Sequence, residues 1–454
     1  MRTLVLVDGE HYPPVTRWAI EEARRRGSDV VGALFLGGSE KIEAGSLPDL
    51  GVAIRAAGGD PMASLRAAID AWAAEAVLDL SDEPIVGYRE RMELAAVALA
   101  AGVPYLGADF RLEPPLHGPP LPVPTLAVIG TGKRTGKTAI GGAVARLAAA
   151  AGLEPIVVAM GRGGPPEPQV AEAGSVDLDR LVALVRSGAH AASDYLEDAL
   201  TSGVTTIGAR RAAGGLAGAP FVTNVREAAE LAAARSPGLV IMEGSGSAVP
   251  DVPWDAAVLV MPASVPAEYL GGYLGPFRLL LTDLAVVTMA AGPIAGPTTG
   301  LGSQRESLSA LRPHLRRYLG DNGYVVTDLT PVPLADVRGR RAFFTTTAPA
   351  AVAATQVEHL RREHGVEVVG WSANLADRGR LAEDLDAAHG YDVLLTELKA
   401  AAVDVGVERA LARGAEVVFV DNRAVAVEGS RDLDAALAEV IDLARTRGRE
   451  RGNT

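Results

Sequence analysis

The chain of 454 residues has no cysteine, and aromatic side chains make up only 4% of it. The first absence excludes disulfide frameworks, thiolate metal sites and cysteine nucleophiles. The second favours helices packed tightly on sheets over an aromatic-rich binding surface. Excess positive charge is missing too. The formal net charge is −13, which argues against nucleic acid or an anionic membrane as partner, since both select a basic face. No apolar run has the length of a membrane span. The greasiest, 94–108, is interrupted by Gly102 and Pro104 and falls short of about 20 residues. The N-terminal residues lack the apolar length and small-residue cleavage site of a signal peptide. Together these features read as a soluble, cytoplasmic protein.

Lysine is nearly absent as well. Only Lys41, Lys133, Lys137 and Lys399 occur among 43 basic residues. A bias that has replaced lysine wherever arginine serves leaves the survivors suspect, because a compact ammonium in a tight loop has no arginine equivalent. What the chain does have is 48% hydrophobic and 22% charged residues, enough for ordinary cores. Its length predicts two or three domains at about 150 residues each.

Over the first 110 residues, short apolar runs (4–7, 30–36, 77–80, 103–106) alternate with helical patterns (15–26, 63–76, 88–101). Continuous apolar strands between amphipathic helices predict βαβ units and a parallel sheet. A proline-rich connector at 112–124 cannot continue a sheet interior and marks a boundary. A second α/β block follows, with strands at 125–129, 155–159, 238–242, 256–261 and 284–288. The pattern resumes at 324–326, 342–345, 367–370, 393–396 and 416–420.

The strand at 125–129 runs into Gly130-Thr131-Gly132-Lys133-Arg134-Thr135-Gly136-Lys137-Thr138, and a helical pattern follows at 139–151. The Gly136-Lys137-Thr138 end matches the P-loop, whose backbone amides at a helix N-terminus wrap phosphates. Lys137 would reach the β- and γ-phosphates, and the Thr138 hydroxyl would ligate Mg2+. The strict pattern places glycine five residues before Gly136; here that position is Thr131, and Gly130 stands one place earlier. Two of the four lysines fall in this loop, so the chain is expected to bind a nucleoside triphosphate. Lys133 and Arg134 are extra cations, either solvated or stabilising a transferring phosphoryl group. The fold expected is α/β: an N-terminal Rossmann-like domain (1–122), a P-loop NTPase-type parallel-sheet domain (123–300) and a C-terminal α/β region (301–454). The last either stands alone or continues the P-loop sheet.

The strand at 239–242 ends in Glu243-Gly244-Ser245-Gly246-Ser247. A carboxylate there is placed to hold Mg2+, directly or through water. Arg162, Gly163 and Gly164 form a loop able to close on an anion, or a plain flexible turn. His190, Ser193, Asp194 and Tyr195 stand at a helix start as substrate candidates, though Ser193 or Asp194 could simply cap it. Arg210 and Arg211 suit a multiply charged phosphate or form a surface pair. Lys399, just past an apolar strand, is read as touching a phosphate or an acyl phosphate. In the N-terminal module Asp8, Glu10, His11, Asp82 and Glu83 follow strands, where open α/β sheets bind ligands and where acids also cap helices.

Several of these motifs carry a resemblance. Gly130 to Thr138, Gly161-Arg-Gly-Gly-Pro-Pro-Glu167, His190-Ala-Ala-Ser-Asp-Tyr-Leu-Glu-Asp198, Asp8-Gly-Glu-His-Tyr-Pro-Pro14 and Phe343-Phe-Thr-Thr-Thr-Ala-Pro349 resemble the motifs of the cyclic 2,3-diphosphoglycerate synthetases. The matches run from residue 8 to about residue 404. More distantly, the P-loop and Glu243-Gly-Ser-Gly are similar to dethiobiotin synthetase, and the segment 394–399 is loosely similar to lipid A 4′-kinase. The resemblance implies an ATP-dependent ligase that closes 2,3-diphosphoglycerate into its cyclic phosphoanhydride, releasing ADP and phosphate. A cytoplasmic homodimer is expected with it. Lys133, Arg134, Lys137, Arg162 and Lys399 would carry the reaction, with Thr138 and Glu243 on the metal. The alternative readings are a P-loop small-molecule kinase and an ATP- or GTP-hydrolysing switch of the metallochaperone type.

Overall fold

Apolar runs too short for buried helices become strands in the computed structural model, which describes residues 1–42, 46–115, 117–188, 191–290 and 304–452. The chain divides into two units. One comprises Met1–Leu116, Gly215–Ala219 and Pro266–Leu281; the other comprises His117–Gly214, Pro220–Val265 and Thr282–Thr454. Among the described residues no helix is long and apolar enough to cross a membrane.

The first unit holds β1 (Arg2–Val7), α1 (Pro13–Arg25), β2 (Asp29–Phe35), β3 (Ile54–Ala56), α2 (Pro61–Trp72), β4 (Ala76–Asp79), α3 (Tyr88–Ala100), β5 (Tyr105–Leu106) and β6 (Arg111–Leu112). Its six strands are ordered β3-β2-β1-β4-β5-β6. Chemistry at the ends sets the helices. α2 begins where the Asp60 carboxylate accepts from Met62 N and Ala63 N, with Pro61 in the first turn. The expectation that 103–106 is the last strand is corrected: β6 pairs antiparallel with β5 beyond it. The short β3, with two of its three residues exposed, carries no apolar run to announce it.

The second unit is built on one large sheet of β7 (Thr125–Gly130), β8 (Ile156–Gly161), β9 (Gln169–Ala171), β10 (Thr205–Ala212), β11 (Val222–Thr223), β12 (Val240–Glu243), β13 (Ala256–Pro262), β14 (Leu284–Thr288), β15 (Tyr324–Pro333), β16 (Arg341–Thr345), β17 (Glu367–Ser372), β18 (Val393–Thr396) and β19 (Glu416–Ala426). The order is β11-β10-β8-β12-β7-β13-β14-β15-β19-β18-β16-β17, with β9 beside β10. β14 and β15 pair parallel at Ala285–Val287 against Tyr324–Val326. β15 then runs antiparallel to β19, from Thr327 opposite Ala426 to Pro333 opposite Val420. The sheet therefore passes without a break from the P-loop strands into the C-terminal ones. The expected boundary at 300/301 lies outside the described residues.

Helices α4 (Lys137–Ala150), α5 (Leu178–Arg186), α6 (Asp194–Ser202) and α7 (Val225–Ala233) cover this sheet. One core joins Leu126 and Val128 of β7 and Ile140 and Val144 of α4 to Leu437, Val440 and Ile441 of the C-terminal helix Leu433–Gly452. β7 is buried along its whole length between β12 and β13, which fixes the loop that leaves it.

Candidate active site

The loop after β7 closes through two left-handed residues, Arg134 (φ 59) and Gly136 (φ 89), the latter just before α4. A β-carbon on Gly130 would lie 2.9 Å from Lys137 Nζ and 3.0 Å from Thr135 Oγ1. A side chain at Gly130, one place before the strict pattern, would therefore crowd Lys137 out of this position, whereas a β-carbon on Gly132 would meet nothing within 4 Å. Thr131 N donates to Val260 O of β13. Lys137 Nζ folds across the loop, donating to Gly132 O at 2.8 Å and Gly246 O at 3.1 Å, with Thr135 Oγ1 at 3.4 Å. Burial pulls its pKa down to about 8, against the opposing charges of Glu243 and Asp194. The buried Thr288, at the end of β14, donates its hydroxyl to Thr135 O at 2.7 Å and pins the loop from below. Lys133 and Arg134 are exposed.

Cations from three other segments, Arg162, Arg211 and Lys399, gather here. Arg211 Nη2 donates to Ser245 O at 2.7 Å and Nη1 to Ala213 O at 2.5 Å. Gly246, at φ 61, would carry a β-carbon 3.1 Å from Arg211 Nη2 and 3.8 Å from Arg162 Nη2. Arg210 is exposed, as alternation along β10 requires if Arg211 turns inward. Gly164 packs so closely on Ala209 that a β-carbon would sit 2.0 Å from its carbonyl oxygen. Gly163 stays exposed beside it.

α6 brings carboxylates to the same place. Asp194, Glu197 and Asp198 share one helix face by their spacing. Enclosure by protein raises the Asp194 pKa, opposed in order by Lys399, Lys137, Lys133 and Arg162. Lys399 Nζ pairs with Glu197 Oε1 at 3.1 Å. Burial acts against this ammonium, but Glu197 and Glu397 outweigh it and its pKa is raised. Burial pushes Glu197 up to about 7 against Lys399, and it pushes Glu243 up to about 8 against Lys137. Both Asp198 carboxylate oxygens are buried without a partner among the described residues, and burial followed by Glu243 raises its pKa well above the usual range. Glu397 differs. It accepts from Thr346 Oγ1 (2.8 Å), Thr347 N (3.1 Å), Thr347 Oγ1 (2.9 Å) and Asn422 Nδ2 (2.9 Å). These bonds, with Lys399, outweigh its burial and lower its pKa. Thr346 and Thr347 thus serve a carboxylate, while the Thr345 hydroxyl bonds to Thr396 Oγ1 at 2.7 Å.

Glu243 Oε1 is buried and unpartnered among the described residues. It lies where a β-carbon on Gly141 would come within 1.5 Å, on the helix that begins with Lys137 and Thr138. An orphaned carboxylate oxygen and a hydroxyl one turn away are hard donors that fit Mg2+. No group of three or more acidic or histidine side chains among the described residues is arranged to hold a metal, so a cation here would take its other ligands from phosphate and water.

The remaining candidates fall elsewhere. Tyr195 turns from the cations, its ring against Gly208 and its hydroxyl donating to Gln169 Oε1 at 3.0 Å. Ser193 occupies the cap position of α6 without a side-chain cap bond. His190 lies outside the described residues. In the first unit, Asp8 accepts from Glu10 N, His11 N and Asp82 N, and pairs with His11 Nδ1 at 2.9 Å. His11 Nε2 is 3.4 Å from Asp82 Oδ2. These groups tie the loops after β1 and β4, where the strand order reverses, and Glu83 is exposed beside them. Sequence reasoning missed Glu197, Asp198, Glu397, Thr288 and the turn at Gly246. The spacing of three acids on α6 and the acid after the apolar run 393–396 were the available signals; nothing local marks Thr288.

Comparison with known proteins places these features in a family context. Residues 125–313 match the model of the cyclic 2,3-diphosphoglycerate synthetase P-loop domain, residues 2–113 that of its N-terminal domain and residues 333–423 that of its C-terminal domain. A cyclic 2,3-diphosphoglycerate synthetase from Rubrobacter xylanophilus is 49% identical over 99% of both chains. One from Thermococcus sibiricus is 41% identical over 96% of this chain and 98% of its own. Another, from Methanothermus fervidus, is 37% identical over 98% and 97%. Among solved structures, LpxK from Aquifex aeolicus in complex with ATP aligns over 72% of this chain and 91% of that one, at 15% identity and a TM-score of 0.38.

Proposed function

The chain belongs to the cyclic 2,3-diphosphoglycerate synthetase family, and from that premise we propose that it uses ATP to close 2,3-diphosphoglycerate into its cyclic phosphoanhydride, releasing ADP and phosphate. The observation that carries the reading is the gathering of cations at a P-loop: Lys137 and Arg211 donate to the carbonyls of Gly246 and Ser245, Arg162 Nη2 lies 3.8 Å from where a Gly246 β-carbon would be, and Lys399 pairs with Glu197 on the helix that Asp194 begins. In a chain of net charge −13 such a basin supplies the local field that two multiply charged phosphate compounds need.

An oxygen of one substrate phosphate takes the γ-phosphoryl group, and ADP leaves. An oxygen of the neighbouring phosphate then attacks the inner phosphorus of that pyrophosphoryl group, closing the ring and expelling inorganic phosphate. Ionised phosphates are already nucleophiles, so the work is positioning and charge stabilisation. Lys137, Thr135 and the amides of 130–138 hold the nucleotide. Lys133 and Arg134 stand over the transferring group. Arg162, Gly163, Gly164, Arg211 and Lys399 receive the acid, with Asp194 as their counter-charge. Thr138 and Glu243 would hold Mg2+, which would supply charge neutralisation to the nucleotide phosphates. The enzyme is proposed to act in the cytoplasm as a homodimer, with three regions of which the third (301–454) extends the sheet of the second (123–300).

Phosphorus NMR on the protein with ATP, Mg2+ and 2,3-diphosphoglycerate tests this. Pyrophosphate-like resonances from the glycerate, rising with ADP and free phosphate, are expected. A phosphorylated acid without free phosphate would point to a kinase, and nucleotide turnover with an unchanged acid to a switch.

A further inference from the structure

Two cations of the site are tied to consecutive carbonyls of one turn. Lys137 Nζ donates to Gly246 O at 3.1 Å, and Arg211 Nη2 donates to Ser245 O at 2.7 Å. The turn is fastened to β7 by Gly244 N donating to Val128 O and closed on itself by Ala248 N donating to Ser245 O. It lies directly on the arginines, as the 3.1 Å and 3.8 Å approaches of a Gly246 β-carbon to Arg211 and Arg162 require. Beneath it Arg211 Nε is buried without an acceptor among the described residues. An unpaired buried guanidinium N–H is unfavourable, and a phosphate oxygen is the acceptor it lacks.

An ammonium has three donors. Lys137 commits two of them to the carbonyls of Gly132 and Gly246 and the third, at 3.4 Å, to Thr135 Oγ1, so reaching both β- and γ-phosphates must release at least one carbonyl. Gly132 belongs to the loop that wraps the phosphates and makes the shorter bond, 2.8 Å against 3.1 Å. Gly246 is the partner given up.

We propose that the Ser245–Gly246 turn covers a second phosphate subsite, formed by Arg211 and Arg162 for a phosphate of the acid substrate, and that nucleotide binding at Lys137 unlatches the cover. This rests on the reading of Arg162 and Arg211 as the acid's site. It makes binding ordered, nucleotide before acid, and by linkage each ligand tightens the other.

Hydrogen–deuterium exchange at the Ala248 amide reads the latch in the full chain. Protection is expected to fall when a non-hydrolysable ATP analogue binds with Mg2+, and to be low without nucleotide in Lys137→Met. Titration with 2,3-diphosphoglycerate reads the consequence. The acid should bind about tenfold more tightly with the analogue, about 1.4 kcal/mol, and Lys137→Met, its latch already open, should bind it without nucleotide more tightly than the nucleotide-free wild type does. Unchanged Ala248 protection in the wild type, or acid affinity indifferent to the analogue, overturns the proposal. If Lys137→Met does not fold, the two wild-type measurements decide alone. A protein that makes cyclic product yet shows analogue-independent acid binding sinks the latch and leaves the function standing. A protein whose Ala248 responds but that binds no diphosphoglycerate in any state sinks the acid subsite together with the functional reading.

Discussion

At the scale of single residues, Lys137 combines a half-buried position with a proposed task, holding nucleotide phosphates, that needs its charge. With a pKa near 8 in the free protein, and phosphate raising it when bound, nucleotide affinity should be full below pH about 7. It should then weaken by up to about tenfold per pH unit above 8. A fluorescent nucleotide titrated from pH about 7 to about 10 measures this, and a flat profile would show that burial does not depress the ammonium. For stability the sign is opposite. A lysine whose native pKa lies below its unfolded value of 10.5 destabilises the fold below pH 8, and the penalty fades as pH rises between the two values. Thr288 acts on the same loop through one hydrogen bond to Thr135 O. Thr288→Val keeps the shape and removes the donor, leaving a buried carbonyl at a cost of about 1–3 kcal/mol. The KM for ATP should rise roughly tenfold or more with kcat changed less, and Thr288→Ser should restore it. Equal kinetics in Thr288→Val would remove the residue from the positioning of the P-loop.

At the scale of elements, α6 is a short helix with an unusual inner face. Its first residue, Asp194, stands among cations, while Asp198, one turn on, is buried with both oxygens unpartnered among the described residues and in the field of Glu243. A carboxyl whose pKa is raised on folding keeps a proton that the unfolded chain gives up above about 3.8. Native stability therefore falls as pH rises past that point. Asp198→Leu should accordingly raise Tm by several degrees, and by more at pH 8 than at pH 5, as thermal unfolding at the two pH values would show. A drop in Tm at both would mean that the carboxyl has a stabilising partner. The same helix explains why Lys399 stands where it does. The turn after β18, held by Glu397 and its four hydrogen bonds, presents the ammonium to Glu197, so a C-terminal strand end and a P-loop-side helix are joined by one ion pair.

At the scale of the molecule, the second unit is one sheet from β11 to β17, and its core mixes α4 with the helix Leu433–Gly452. A chain ended at residue 303 would lose β15 to β19 and that helix. It would expose the β14 edge and the apolar faces of Ile140 and Val144, and it should be insoluble or molten by near-UV circular dichroism. A soluble, cooperatively folding truncation would instead make the C-terminal region an independent body.

Much of this was legible in the sequence. The alternation of apolar runs and helices gave an α/β fold because strands buried on both faces must be continuous apolar segments. The lysine scarcity and Gly136-Lys137-Thr138 marked the nucleotide loop because backbone amides and a point charge are chemically irreplaceable there. Glu243 could be singled out as a metal candidate because a carboxylate at a strand end announces itself, and the structure buries it against α4. Only the tertiary structure decided the rest. Arg211 faces the site and Arg210 does not, since register along β10 sets which side chain turns inward. Tyr195, adjacent to Asp194, packs on Gly208 instead. Thr288, Glu397 and Gly246 enter through contacts between segments far apart in the chain, whose partners no local pattern names. Chain neighbours set which chemistry is possible; the sheet order sets which residues meet.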